Sequence, residues 1–215
     1  MKQLISLIIL LFSLNLAAQP DLTKLDGKIS SNERQRFELQ GANGNSSIST
    51  SIDDDFLRIN VSSDSLYVAS LCLCTSDNEI IVLHASAALG RVNYERTTGQ
   101  IWKSDDKFDW RIREPEMTPE IIQKRLEHLN NYGWVANTLG MGTGQDAEFI
   151  IRKDLFESNT IYLAAGLMSR ADPENIIPLP AKTAGDCADF ALVAGPPKPE
   201  YSFDPKKWFK IDLKD

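Results

Sequence analysis

The sequence predicts a mainly β protein, a two-sheet antiparallel β-sandwich with one inserted α-helix. Three observations point there. Most apolar stretches repeat with period two, clusters of Ser, Asp, Asn and Gly separate them at short intervals, and only one segment carries helix-capping residues at helical spacing. Alternation of this kind is what a strand shows when one face is buried and the other meets water.

Taken in order, Ile48 and Ile52 stand among Ser and Thr, and Leu57, Ile59 and Val61 share one face while Arg58 and Asn60 take the other. The acidic turn Asp53-Asp54-Asp55 joins these two strands, and Ser62-Ser63-Asp64 closes the second, so Ser46 to Cys74 reads as a meander. Leu66 to Cys74 is apolar on both faces, which calls for a central strand covered on both sides. Glu79 to Ser86 is expected beside it across the turn Ser76-Asp77-Asn78. In Lys107 to Arg113, Phe108, Trp110 and Ile112 alternate with four charged residues, the pattern of a half-buried strand. Further strands are expected at Trp134 to Thr138, Ala147 to Arg152, Ile161 to Met168 and Ala188 to Ala194.

The exception to the alternation begins at Thr118-Pro119-Glu120, an N-cap, a proline at the first helical position and an acid in the first turn. Ile121, Ile122, Leu126 and Leu129 follow at helical spacing, and Asn130, Asn131 and Gly133 offer a stop. The expected helix is an insertion over about residues 118–131. Pro173 to Pro180 and Pro196 to Pro199 read as loops, and Gly140-Met141-Gly142-Thr143-Gly144 reads as a hairpin loop. That glycine run lacks the lysine and the following helix of a phosphate-binding loop.

Residues 1–19 have the form of a secretory leader: Lys2, an apolar run from Leu4 to Leu14, then Ala17-Ala18. The run is shorter than the roughly 20 residues a membrane span needs. The expectation is an exported protein, periplasmic or secreted, with no membrane anchor and with residues 20–215 as one domain. The chain carries a formal net charge of −7, and its leader contains one base and no acid, so the remainder is more acidic still. Such a balance disfavours nucleic-acid binding, which draws on a basic face to displace counterions.

An oxidising compartment favours pairing among Cys72, Cys74 and Cys187. Cys72 and Cys74 are two apart on one strand face and bond poorly to each other, so Cys187 is expected to bridge to Cys72 or Cys74. A thiolate metal site using these cysteines and His84 has neither of the usual CxxC spacings, and no resident metal is expected.

Four motifs, in order, resemble the exported β-sandwich modules of the DOMON-like group, closest to family 9 carbohydrate-binding modules. They are Leu25-Asp26-Gly27-Lys28-Ile29, Asp64-Ser65-Leu66-Tyr67-Val68-Ala69, Glu148-Phe149-Ile150-Ile151, and Phe203-Asp204-Pro205 with Trp208. Together they span residues 25–213. Departures are visible: Glu33 to Leu39 lacks the tryptophan that often follows the opening Asp-Gly, and the helix after Thr118 has no counterpart in those modules. The resemblance implies a non-enzymatic ligand-binding protein, with a saccharide as the expected partner.

Sugar recognition uses flat aromatic faces with polar companions. Trp102 and Trp134, both beside loops, are the candidate platforms, with Tyr94, Arg111 and Arg113 as companions; Trp110 and Trp208 read as core residues. The alternative implied by the same resemblance is a haem or metal carrier, with His84 as axial ligand and Met141, Met168 or Met117 opposite. His84 also reads as a base for Ser86 or as a core histidine held by a backbone group, and no acid partner or G-x-S-x-G motif supports a hydrolase. A structural or assembly protein of the cell envelope is the third class. Asp53-Asp54-Asp55 lacks EF-hand spacing and reads as a solvated turn.

Overall fold

The computed structural model describes Leu25 and residues 37–40, 45–86, 88–104, 109–111, 118–138, 146–183, 186–192 and 198–214. The described residues form two antiparallel sheets and one α-helix, a β-sandwich-like arrangement. The leader, the opening Asp26-Gly27 pair, the Gly140 to Gly144 run, Met141, Met117 and Arg113 lie outside the described residues.

The smaller sheet is five-stranded and runs β1 (Phe37–Gln40), β2 (Ser46–Ile52), β3 (Phe56–Ser63), β10 (Asp146–Arg152), β9 (Trp134–Thr138). The β2–β3 turn forms because Asp53 folds back on its own backbone, its Oδ1 accepting the N–H groups of Asp55 and Phe56 at 3.1 and 2.7 Å. Register then places Leu57, Ile59 and Val61 opposite Ile151, Phe149 and Ala147, all on the inner face.

The larger sheet is nine-stranded. Its main path is β12 (Ile176–Leu179), β11 (Thr160–Ser169), β4 (Leu66–Ser76), β5 (Glu79–Ala85), β6 (Leu89–Thr98), β7 (Ile101–Lys103), β13 (Glu200–Ser202), with β14 (Phe209–Asp212) on β11 and β8 (Asp109–Arg111) on β6. Val68 to Thr75 of β4 is buried without interruption, as a strand covered on both faces requires. Its inner face, with Leu71 and Leu73, packs with Ile81, Leu83, Leu163 and Leu167 against the smaller sheet. Its outer face, with Cys72 and Cys74, belongs to a separate apolar cluster built from Ile80, Val82, Tyr94, Trp102, Phe190, Phe203 and Trp208.

The helix α1 (Pro119–Tyr132) is where its caps put it. Thr118 Oγ1 accepts the Ile121 N–H at 3.4 Å, and Gly133 takes a left-handed φ of 76° while donating to the Leu129 carbonyl. A side chain at Gly133 would also meet Leu155, so both the backbone and the space ask for glycine there.

Two expectations are overturned. Within the expected loop Pro173 to Pro180, Ile176–Leu179 is a strand paired with β11. Ala188 to Ala194 was expected as a strand, yet Cys187–Leu192 is a 3-10 helix laid over the outer face of the larger sheet. With three residues per turn, Cys187 and Phe190 fall on one side and both are fully buried. The closing motif is also displaced: Pro205–Lys207 forms a 3-10 turn, and the last strand starts only at Phe209.

The 187–192 segment lies so close to β11 that a Cβ built on Gly166 would sit 2.6 Å from Ala188 Cα and 3.0 Å from the Cys187 carbonyl oxygen. Both are backbone atoms and cannot swing aside. Gly166→Ala is therefore expected to destabilise the fold by about 1–3 kcal/mol, the usual range for overpacking. Urea denaturation of the two proteins side by side checks this; equal midpoints would contradict the close approach.

Candidate functional site

The aromatic residues singled out by sequence do not form a platform. Trp102 and Trp134 are each 1% exposed and Tyr94 is fully buried. Trp134 belongs to the core between the sheets, whereas Trp102 and Tyr94 belong to the outer cluster. Tyr94 packs edge-on to Phe190, Tyr201 and Phe203, and its hydroxyl donates to the Lys198 carbonyl at 2.7 Å. Packing took these large apolar surfaces, and none of the three rings is open to a sugar. Arg111 lies on β8 opposite Leu89, away from Trp134 in the pairing scheme, and Arg113 is outside the described residues.

Cys72 bridges Cys187, with Cα atoms 5.8 Å apart, and Cys74 stays a buried free thiol. The bridge ties the 3-10 segment to β4 across 115 residues of sequence. Cys74 donates its S–H to the Ser76 carbonyl, and burial pushes its pKa up to about 11, so it remains a protonated thiol near neutrality. Among the described residues no group of three or more His, Cys, Asp and Glu side chains is placed to hold a metal ion.

His84 is 2% exposed on the outer face of β5, opposite Ser70 of β4. Its Nδ1 lies 3.0 Å from Ser70 Oγ and 3.3 Å from the Phe190 carbonyl oxygen, and its Nε2 lies 3.2 Å from Ser86 Oγ. Both ring nitrogens are thus engaged in hydrogen bonds. Burial holds the imidazole pKa down at about 4, against the smaller opposing effect of the Phe190 carbonyl.

A row of polar residues crosses the outer face of the smaller sheet in register: Ser49, Asn60, Glu148 and Asn137. All four are buried, and Asn137 Nδ2 donates to the Leu25 carbonyl at 2.9 Å. Leu25 therefore lies against one end of this row.

Among the described residues, a cleft of about 470 Å³ opens at the turn end of the β4–β5 hairpin. Cys74, Ser76, Asp77 and Asn78 line one side, and Glu157, Ser158, Thr160 and Tyr162 the other. The two sides meet because β4 and β11 pair there, with Tyr162 opposite Cys74. The turn is held from behind by Arg96, whose backbone N–H donates to the Asn78 carbonyl at 3.0 Å and whose Nη1 donates to the Asp77 carbonyl at 3.3 Å. The same guanidinium sits 5.5 Å from the Trp102 ring. An open cavity of this size, with one aromatic side and a ring of hydroxyl, amide and carboxylate groups, suits a small polar ligand. Sequence reading named Ser76-Asp77-Asn78 only as a turn, and nothing local in Glu157 to Tyr162 signals that it will lie beside it.

A second titrating group lies under the C-terminal cover. Asp186, 7% exposed, accepts from Trp208 Nε1 at 2.8 Å and from the Asp204 N–H at 3.3 Å, yet burial outweighs these bonds and raises its pKa to about 6. Asp186 and His84 act on stability in opposite directions. The raised carboxyl contributes stability that is present below its ordinary value of 3.8 and lost as pH rises through about 6. The depressed histidine contributes stability that is present above 6.5 and lost as pH falls through about 4. Asp186→Asn keeps the acceptor for Trp208 and removes one of the two, so between pH 4 and 6.5 its stability should fall on acidification more steeply than that of the parent protein, by up to about 1.4 kcal/mol per pH unit. Urea midpoints across that interval check the sign.

Removal of the bridge by Cys72→Ser is expected to cost about 2–5 kcal/mol. Thermal melts with and without reductant, on the parent and the variant, test it: reductant should lower the melting point of the parent only. No family model, curated protein or solved structure matches this chain.

Proposed function

We propose that this chain is an exported, non-enzymatic β-sandwich protein that binds a saccharide in the cleft between the β4–β5 turn and the start of β11. The observation that carries the reading is the composition of that cleft: the side chains of Ser76, Asn78, Ser158 and Thr160, the carboxylates of Asp77 and Glu157, and the ring of Tyr162 around about 470 Å³ of open space. Ring hydroxyls of a sugar both donate and accept, so mixed hydroxyl, amide and carboxylate groups match them, and a phenol ring offers a surface for C–H faces. The leader-like start and the Cys72–Cys187 bridge support export, since such bridges persist in oxidising compartments. The ordered motifs resembling family 9 carbohydrate-binding modules support the ligand class. No described helix is long and apolar enough to cross a membrane.

Calorimetry against soluble oligosaccharides, and pull-down on insoluble glycans, test the proposal. Asn78 and Ser158 are exposed, so replacing both with alanine leaves the packing intact. Binding to at least one glycan is expected, weakened at least tenfold in the double variant, equivalent to about 1.4 kcal/mol. Absence of binding across the panel, or binding indifferent to Asn78 and Ser158, would overturn the assignment of this cleft.

A further inference from the structure

Beyond Thr160 and Tyr162, the outer face of the larger sheet continues from the cleft onto β14. We propose that the saccharide bound here is a chain rather than a single sugar, lying across the strands with one unit over Tyr162 and the next over Lys210 and Asp212; this rests on the cleft being a saccharide site.

Register places the groups. Cys74 of β4 and Lys210 of β14 are both opposite Tyr162 of β11, and Asp212 is opposite Thr160. Residues paired in this way share a face, so Cys74, Tyr162 and Lys210 form one row across three strands, with Thr160 and Asp212 beside it. The intervening Ile161, Leu163 and Ile211 point the other way, into the core between the sheets, which fixes the row as outward. Exposure rises along it: Cys74 is buried, Tyr162 half-buried, and Lys210 and Asp212 exposed. The C-terminal cover sets this gradient, because Tyr162 packs only against the margin of the outer apolar cluster. In the opposite direction the row passes from Cys74 to Ile80 and then Tyr94, both fully buried, so the open path leads towards β14 alone.

Paired strands lie about 4.8 Å apart, close to the advance of one unit along an extended glycan. A sugar with its C–H face on the Tyr162 ring therefore puts its neighbour over β14 when the chain runs across the strands. There Lys210 only donates and Asp212 only accepts, a pairing that suits hydroxyl groups, which do both. Both have capacity to spare. The Lys210 ammonium has no ion pair among the described residues, whereas Lys103, Lys198 and Lys207 are paired with Glu200, Asp189 and Asp204. Asp212 accepts the Lys214 N–H at 3.2 Å through Oδ1, which leaves Oδ2 for a sugar. Since β14 pairs with β11 alone, it is the last strand on that side and a short chain fills the site.

Calorimetry of the full chain against monomers and trimers of β-1,4-linked glucose, xylose, mannose and N-acetylglucosamine tests the proposal. For a sugar that binds, the trimer is expected to bind more tightly than the monomer by about tenfold or more. Lys210→Ala combined with Asp212→Ala should remove that gain, bringing the two affinities to within about threefold of each other. Both side chains are exposed, so the core is untouched, and circular dichroism checks this. Charges on an edge strand also guard it against pairing with another chain, and that role alone leaves the trimer-to-monomer ratio unmoved. Equal affinities for monomer and trimer in the parent protein, or a ratio unchanged in the double variant, overturn the proposal while the saccharide reading of the cleft stands. No binding in any of the four series overturns both.

Discussion

Burial of β4 on both of its faces is the constraint on which the rest of this structure depends. A strand that is apolar on one side only needs one partner layer, but Leu66 to Cys74 offers apolar side chains to both. The smaller sheet covers one side. The one α-helix among the described residues packs on β9 and β10, and the other side is covered from the C-terminal quarter of the chain: the 3-10 segment at 187–192, then Tyr201, Phe203 and Trp208. The backbone bonding of this cover is short, a 3-10 turn at 187–192 and a three-residue pairing of β13 with β7. Three devices add to it, namely the Cys72–Cys187 bridge, the missing side chain at Gly166, and the hydrogen bonds that Ser70 and Asp186 make to Phe190 and Trp208. The bridge is anchored on the strand whose outer face it helps to cover.

That cover also explains where the unusual electrostatics lie. His84 and Asp186 are both buried by the same layer, one from the sheet side and one from within the cover itself. Each is penalised for carrying charge in a low-dielectric setting, and in each case burial outweighs the groups that favour the charged form, the Phe190 carbonyl for His84 and the Trp208 and Asp204 N–H groups with the Lys207 charge for Asp186. Because one loses its charge by releasing a proton and the other by taking one up, the two penalties have opposite dependence on pH. A layer containing only one of them would tie its docking to acidity, whereas the pair offsets this dependence over part of the range.

Legibility in the sequence followed the range of the interactions. Local patterns were sound guides: the alternation in Leu57 to Val61, the turn at Asp53, the two-residue connection at Asp77-Asn78, and the caps at Thr118 and Gly133 all work through neighbours in the chain. Readings that depended on what lies across the fold fared differently. Ala188 to Ala194 is an apolar run broken only by Asp189 and reads as a strand, but its partner is a bridge and an apolar face rather than a ladder, and a 3-10 turn brings Cys187 and Phe190 to the same side. Trp102 and Trp134 stand next to loops in sequence and yet are buried, because β7 and β9 are short strands whose middles and ends already sit over core. The cleft was the least legible feature, since its two walls are some 80 residues apart and meet only through the β4–β11 register.

The same register sets where the cleft lies relative to the buried His84. Ser76 at the cleft and Ser70 beneath His84 are six residues apart on β4, about 20 Å along an extended strand. The turn end of the hairpin therefore carries the cleft and the open end carries the Ser70–His84–Ser86 chain. The segment between them, Cys72 and Cys74 with Val82 and Ile80 opposite, is packed beneath the C-terminal cover. The wall of the cleft is the turn, which Arg96 holds in place, while the Ser70 hydroxyl donates to the Phe190 carbonyl, which the bridge at Cys187 ties to the same strand.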